Sequence, residues 1–145
     1  MKFNEARKIA QAISQFDYSI GLMQNDIGQI ALNHFTKSFR DQGFTDESLQ
    51  AWKPRKRVRG RNDEGRAILV KTGALRRSLR KTNIGKYRVR ISSNLPYSRV
   101  HNDGLRAGRG KGFTMPKRQF AGKSATMDRK IRNKIHRRIR KIFKK

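Results

Sequence analysis

The chain has 145 residues, 37 of them Lys or Arg and 10 Asp or Glu, for a net charge of +27. That length makes a single domain spanning 1–145, and with 34% hydrophobic against 32% charged residues its core is thin. The absence of cysteine excludes a disulfide framework, thiolate metal sites and thiol catalysis.

Residues 3–16 place Phe3, Ala6, Ile9, Ala10, Ile13 and Phe16 three or four apart, one apolar stripe of a helix. Gly21 marks a break, and a second helix is expected from Gln24 to Gln42, with Asn25 or Asp26 as cap and Gly43 as stop. His34 falls within its stripe and reads as a half-buried neighbour, not a ligand. Residues 53–66 (KPRKRVRGRNDEGR) have no apolar period and read as a mobile basic loop. Thr72 offers a cap for a helical turn carrying Leu75 and Leu79. Tyr87, Val89 and Ile91 alternate with Arg88 and Arg90, the pattern of a strand with one wet face. A short helix is expected from Pro96 to Asn102, ended by Gly104. Residues 104–112 form a Gly-rich basic hairpin loop, flanked by Phe113, Met115 and Phe120.

The last helix is the clearest element. Ser124 or Thr126 caps it, and Asp128 lies in its first turn, where a negative charge suits the helix dipole. Met127, Ile131, Ile135, Ile139, Ile142 and Phe143 make one narrow stripe, and Lys and Arg fill most of the rest. The stripe is expected to dock on protein and leave the basic face open. A membrane-surface helix ranks lower, because the apolar face is narrow and lacks Trp. No run approaches the roughly 20 apolar residues a bilayer requires, and the N-terminal stretch has no signal-peptide core, so no membrane partner is expected. The fold class is α+β: a small antiparallel sheet flanked by N-terminal helices and a long basic C-terminal amphipathic helix.

Charge is unevenly placed. Residues 1–52 sum to −1 and residues 53–145 to +28, far beyond what solubility asks. The second part calls for a polyanion or an acidic partner surface. The candidate contacts to nucleic acid or an acidic partner are Arg55, Lys56, Arg57, Arg59 and Arg61 in the basic loop. To these the hairpin adds Arg106, Arg109 and Lys111, and the last helix Arg132, Arg137, Arg138 and Lys141.

Catalytic chemistry is missing. The three His (His34, His101, His136) share no ligand spacing, so no metal is expected. The GRGKG fragment fails as a phosphate loop, because Leu105 and Gly112 stand where Gly and Ser or Thr are needed. The adjacent carboxylates Asp46-Glu47 and Asp63-Glu64 fall in loops and read as solvated. No enzyme activity and no cofactor are expected.

Four segments then occur in a familiar order. Trp52-Lys53-Pro54 comes first, followed by Leu69-Val70-Lys71-Thr72-Gly73-Ala74-Leu75-Arg76-Arg77-Ser78-Leu79. Next is Tyr97-Ser98-Arg99-Val100-His101-Asn102-Asp103-Gly104, and last Pro116-Lys117-Arg118-Gln119-Phe120-Ala121-Gly122. From about Phe35 onward the chain resembles the phage virion morphogenesis family, the tail-completion proteins of Mu-like phages. That family carries W-x-P, L-x-x-T-G-x-L-x-x-S, Y-A-x-x-H-x-x-G and P-x-R-x-F-L-G in this order. Ser98 and Ala121 depart from it by small changes that keep the pattern.

The resemblance implies a structural virion protein without a cofactor, assembled in the bacterial host cytoplasm. It implies a homo-oligomeric ring at the head–tail neck, contacting connector, adaptor and tail proteins. The basic half would meet packaged DNA through non-specific phosphate contacts or dock on acidic partner rings. Trp52, Tyr97, His101 and Phe120 are the candidate subunit or partner contacts, since such aromatics are favoured anchors. The rival reading is a non-phage nucleic-acid-binding protein, ribosomal or nucleoid, which explains the charge but not the ordered segments.

Overall fold

A computed structural model describes residues 3–55 and 67–143, with the side chains of 3, 4, 6, 9, 12, 142 and 143 outside that description. One long helix, α1 (Phe3–Asp41), is the axis of the molecule. At 1.5 Å per residue it extends about 58 Å. Two N-terminal helices were expected, and a single one is found. Gly21 costs a helix interior about 1 kcal/mol, but it is exposed with nothing within 4 Å. The apolar stripe keeps its phase across it through Ile13, Phe16, Ile20, Met23, Ile27 and Ile30, and no proline intervenes, so packing overrides the weak breaker. The stop also differs. Gln42, not Gly43, takes the left-handed conformation, with φ 53°. Its Nε2 donates to the Phe39 carbonyl at 2.6 Å, and its Oε1 accepts the Ile68 N–H.

After α1 come β1 (Gly43–Thr45) and β2 (Leu49–Ala51), α2 (Ala74–Ser78), β3 (Arg80–Ile84) and β4 (Arg88–Ser92). The chain continues through α3 (Tyr97–Asp103), β5 (Arg106–Ala107), β6 (Phe113–Thr114) and α4 (Ala125–Phe143). The class is α+β, but the expected single sheet is three separate antiparallel hairpins, β1–β2, β3–β4 and β5–β6. Two-residue and three-residue strands offer too few ladder bonds to recruit a third neighbour, and α1 packs on β1 and on the β3–β4 hairpin. In β4, Val89 and Ile91 are half-buried while Arg88 and Arg90 are exposed, as the alternation requires. It pairs with β3 from Arg80 opposite Ser92 to Ile84 opposite Arg88. Gly28 lets this hairpin lie directly on α1: a Cβ there would sit 2.3 Å from Lys81 Cδ and 2.9 Å from Val89 Cγ1.

Thr72 was expected to cap α2. Its hydroxyl accepts the Ala74 N–H at 3.3 Å, but the cap position belongs to Gly73, at φ 70°, a conformation that favours glycine. Gly104 ends α3 as expected, donating its N–H to the Val100 carbonyl at 3.1 Å. The segment expected as a hairpin loop, 104–112, holds β5 itself, and the tip between β5 and β6 is 108–112.

The core gathers around the C-terminal half of α1: Phe35, Phe39, Phe44, Trp52, Leu75, Leu79, Phe120 and Met127. Phe39, 1% exposed, is its centre. The Trp52 ring meets it edge-on at 5.6 Å and Phe120 lies 5.1 Å away. Trp52 Nε1 donates to the Gln119 carbonyl at 2.6 Å, which settles the one polar atom of that side chain inside.

Helix α4 starts where β1 ends. Ser124 is its cap, accepting the Met127 N–H at 3.1 Å and donating to the Thr45 carbonyl at 2.9 Å. Asp46, read from sequence as a solvated loop carboxylate, accepts the Ala125 N–H at 2.7 Å. A carboxylate at a helix N-terminus is stabilising through both the hydrogen bond and the dipole. From that anchor α4 runs back antiparallel along α1, with Met127 buried and Ile131 and Ile135 half-buried.

Candidate functional site

The antiparallel pairing of α1 and α4 decides where the cations meet. On α1, positions 26, 29, 30, 33, 37 and 40 recur at three and four, so one face carries Asp26, Gln29, Ile30, Asn33, Lys37 and Arg40. Helix α4 sets Lys130, Asn133, Lys134 and Arg137 beside its first part, around a groove of about 400 Å³. Helix α2 sets Arg76 and Arg77 beside its second part, around a groove of about 500 Å³ that also takes in Thr36. Asn33 lines both, so the two grooves adjoin along α1 as one furrow in two parts. Among the described residues its walls carry seven cations: Lys37, Arg40, Arg76, Arg77, Lys130, Lys134 and Arg137.

Two carboxylates organise this field. Asp41 bonds Lys37 Nζ at 3.0 Å and Arg40 Nε at 3.1 Å. Its partial burial favours the neutral form, but those two cations outweigh it and hold the carboxyl below its usual range. Asp26 accepts from Arg138 Nε at 2.5 Å and lies 3.6 Å from Lys134 Nζ. The Arg138 hydrogen bond, opposed by burial and helped by both charges, keeps Asp26 ionised below the usual carboxylate range. Arg138 therefore ties the end of α4 to α1. Arg76 and Lys130 are exposed, and Arg137, also exposed, donates to the Asn133 carbonyl of its own helix at 3.3 Å.

The other expected contact residues fall in several places. Arg132 and Lys141 are exposed on α4. Arg109 and Lys111 are exposed at the hairpin tip, while Arg106 folds back on the Lys111 carbonyl. Arg55 donates to the Ala67 carbonyl at 3.1 Å. Lys56, Arg57, Arg59 and Arg61, like the rest of the basic loop from 56 to 66, lie outside the described residues. Trp52 and Phe120 are core residues rather than surface anchors. Tyr97 is 41% exposed, and the His101 ring meets it edge-on at 6.0 Å.

The sequence reading missed Lys37, Arg40, Arg76, Arg77, Lys130 and Lys134 as a cluster. It also missed Arg118, a buried guanidinium that donates from Nε and Nη2 to the Lys53 carbonyl at 3.3 and 3.2 Å. The Asn102 carboxamide serves beside it: its Oδ1 accepts the N–H groups of both Phe120 and Ala121 at 3.0 Å. These bonds hold the Pro116–Gly122 segment against α3, and they give the P-x-R-x-F motif a structural task.

Two histidines are kept neutral. His34 is buried between Phe35 and Phe44, with Nε2 2.9 Å from the Thr45 carbonyl. Burial pushes its pKa down; the Thr45 bond opposes this, and Lys130 and Lys37 add to it. Burial and then the charge of Arg118 lower His101. Unfolded His titrates near 6.5, so on acidification the unfolded chain binds protons first. Their contribution is complete above about pH 6.5 and is lost as pH falls toward the lower folded-state values. The urea midpoint is expected to fall between about pH 7.5 and about pH 5. His34→Gln, which keeps a donor for Thr45 without titrating, should flatten that fall; an unaltered slope would assign it to other groups.

Among the described residues no three His, Asp or Glu gather closely enough to hold a metal ion, and no helix is long and apolar enough to cross a membrane. Fold and furrow together define a small α+β protein with a strongly cationic surface along its central helix. The chain belongs to the phage virion morphogenesis family, whose model matches residues 1–140. Membership gives it a part in building the phage particle. No curated protein and no solved structure matches it.

Proposed function

We propose that the protein completes the tail at the neck of the particle, as a homo-oligomeric ring between head and tail. The furrow and the exposed cations of α4 and the 104–112 loop would face packaged DNA or the acidic rings of connector, adaptor and tail proteins. The observation that carries this reading is the family match across nearly the whole chain, joined to a furrow whose cations, among the described residues, have Asp26 and Asp41 as their only counter-charges. Furrow side chains of this kind are suited to phosphate or carboxylate, not to base edges: among the described residues no aromatic ring lines either groove, so none of them offers a stacking platform there. A ribosomal or nucleoid protein would share the charge, but it leaves the family match unexplained.

The test is electron microscopy of particles made without this protein. Full heads separate from finished tails are the expected result. Normal joined virions would overturn the placement at the junction, and heads empty of DNA would move the role to packaging.

A further inference from the structure

The apolar stripe of α1 is longer than the body that covers it. Positions 6, 9, 13, 16, 20, 23, 27, 30 and 34 alternate steps of three and four without interruption. That is the seam of a coiled coil, with 6, 13, 20, 27 and 34 as a positions and 9, 16, 23 and 30 as d positions. From Ile20 onward the seam is at least half-buried in its own chain. Before that its described side chains are open: Ile13 is 60% and Phe16 45% exposed. The covering elements stop at the tip of the β3–β4 hairpin, where Lys86 reaches Asp17 at 2.9 Å and Gln24 Nε2 donates to the Gly85 carbonyl at 2.9 Å. Residues 3–18 thus form an arm about 24 Å long. An isolated helix of that length is marginal in water and is normally stabilised by packing of its apolar face.

We infer that the arm pairs with the same arm of a second copy, as an antiparallel two-helix coiled coil over residues 3–18. Three observations select this occupant. First, charge: the chain carries +27, yet within 3–18 Glu5 and Asp17 balance Arg7 and Lys8. The arm is therefore a place where two such cationic molecules can touch without repulsion. Second, self-complementarity, which a twofold contact demands. Antiparallel pairing sets each a position opposite a d position. Position 13 then faces position 9 of the second copy, Ile against Ile, and position 16 faces position 6, Phe against Ala. The large residue meets the small one, so both layers have similar volume. Third, direction. Packed helices lie about 8–10 Å apart, so a parallel pair would hold the two cationic bodies side by side. The antiparallel pair separates them by the arm length, about three Debye lengths at physiological salt.

The contact is independent of the ring at the neck, because it needs only two copies in solution. Sedimentation velocity on the full chain at about 0.15 M ionic strength should show a concentration-dependent dimer. Ile13→Asp and Phe16→Asp, each placing a charge in the seam, should weaken it roughly a hundredfold or more. At concentrations where the wild type is monomeric the thermal melt should not move, since both positions lie outside the core; where the wild type is dimeric its melt should rise with concentration and that of the variants should not. The chain has no native cysteine, so direction is read by cross-linking. Ile9→Cys mixed with Ile13→Cys should give the mixed disulfide in preference to either homodimer. A monomer at every concentration, or a dimer indifferent to both Asp variants, would overturn the pairing. A predominant Ile13→Cys homodisulfide would overturn its direction. A larger assembly that survives the Asp variants would support a ring while removing the arm as its contact.

Discussion

Phe39→Ala is expected to destabilise the protein by about 3–5 kcal/mol, the usual cost of emptying a buried aromatic site. A single domain holds roughly 5–15 kcal/mol in total, so the variant should be largely unfolded well below the wild-type Tm. The site cannot collapse cheaply. Phe39 contacts rings from two chain-distant segments, Trp52 and Phe120, and each of those is fixed by a backbone bond. Trp52 is held through its Nε1 bond to Gln119, and the Phe120 segment by Asn102 and by the Ser38 hydroxyl, which donates to the Phe120 carbonyl at 3.3 Å. Rings pinned this way leave a cavity instead of moving into it. Denaturant unfolding followed by Trp52 fluorescence measures the effect directly, since Trp52 is the chain's one tryptophan. A loss below about 1.5 kcal/mol, the range of volume-conserving swaps, would show that the rings can repack and that Phe39 is not the keystone of this core.

Much of this architecture was legible in the residues, wherever a period ran long enough to be unambiguous. α4 and β4 follow from spacing, because the stripe of Ile131, Ile135 and Ile139 and the alternation of Tyr87, Val89 and Ile91 each repeat their own period twice, and α3 follows from Pro96 at its start and the Gly104 stop. The family resemblance, drawn from four short segments after Phe35, was matched by a family model extending over residues 1–140. What escaped had little local signal. β2 is Leu-Gln-Ala with all three residues exposed, and β3 is Arg-Lys-Thr-Asn-Ile, with an apolar residue only at its end. Gly21 suggested a break because glycine propensity was weighed without the stripe that continues past it. Trp52 and Phe120 looked like surface anchors, but a chain this poor in apolar residues needs its large rings inside.

The furrow was hidden for a different reason. Lys37 and Arg40 belong to the part of the sequence that sums to −1, so counting charge by segment set them aside. Only the antiparallel return of α4 brings Lys130 and Lys134 alongside them, and that return depends on Ser124 and Asp46 anchoring the helix start beside Thr45. The signal that was available is the helical phase of 26, 29, 33, 37 and 40. It shows one face of α1 to be polar in step with the basic face of α4, but not that the two faces adjoin.

That arrangement sets the second large effect. Arg76→Ala, Lys130→Ala and Arg137→Ala combined should weaken binding to duplex DNA, used as a polyanion probe, by about a hundredfold at about 0.15 M salt. The estimate follows from counterion release: each lost phosphate contact removes about 0.9 from the slope of log K against log salt, so three remove about 2.7. All three side chains are exposed, none contributes to the core, and the melt should stay at the wild-type temperature. The control is the matching triple in the hairpin, Arg106→Ala, Arg109→Ala and Lys111→Ala, which removes the same charge from another face. If affinity follows net charge alone, the two triples will weaken binding equally. A furrow that seats the phosphate chain predicts that the first triple weakens binding more and flattens the salt slope more. An unchanged slope in the first triple with a loss in the second would shift the polyanion contact to the 104–112 loop and leave the furrow without a phosphate ligand.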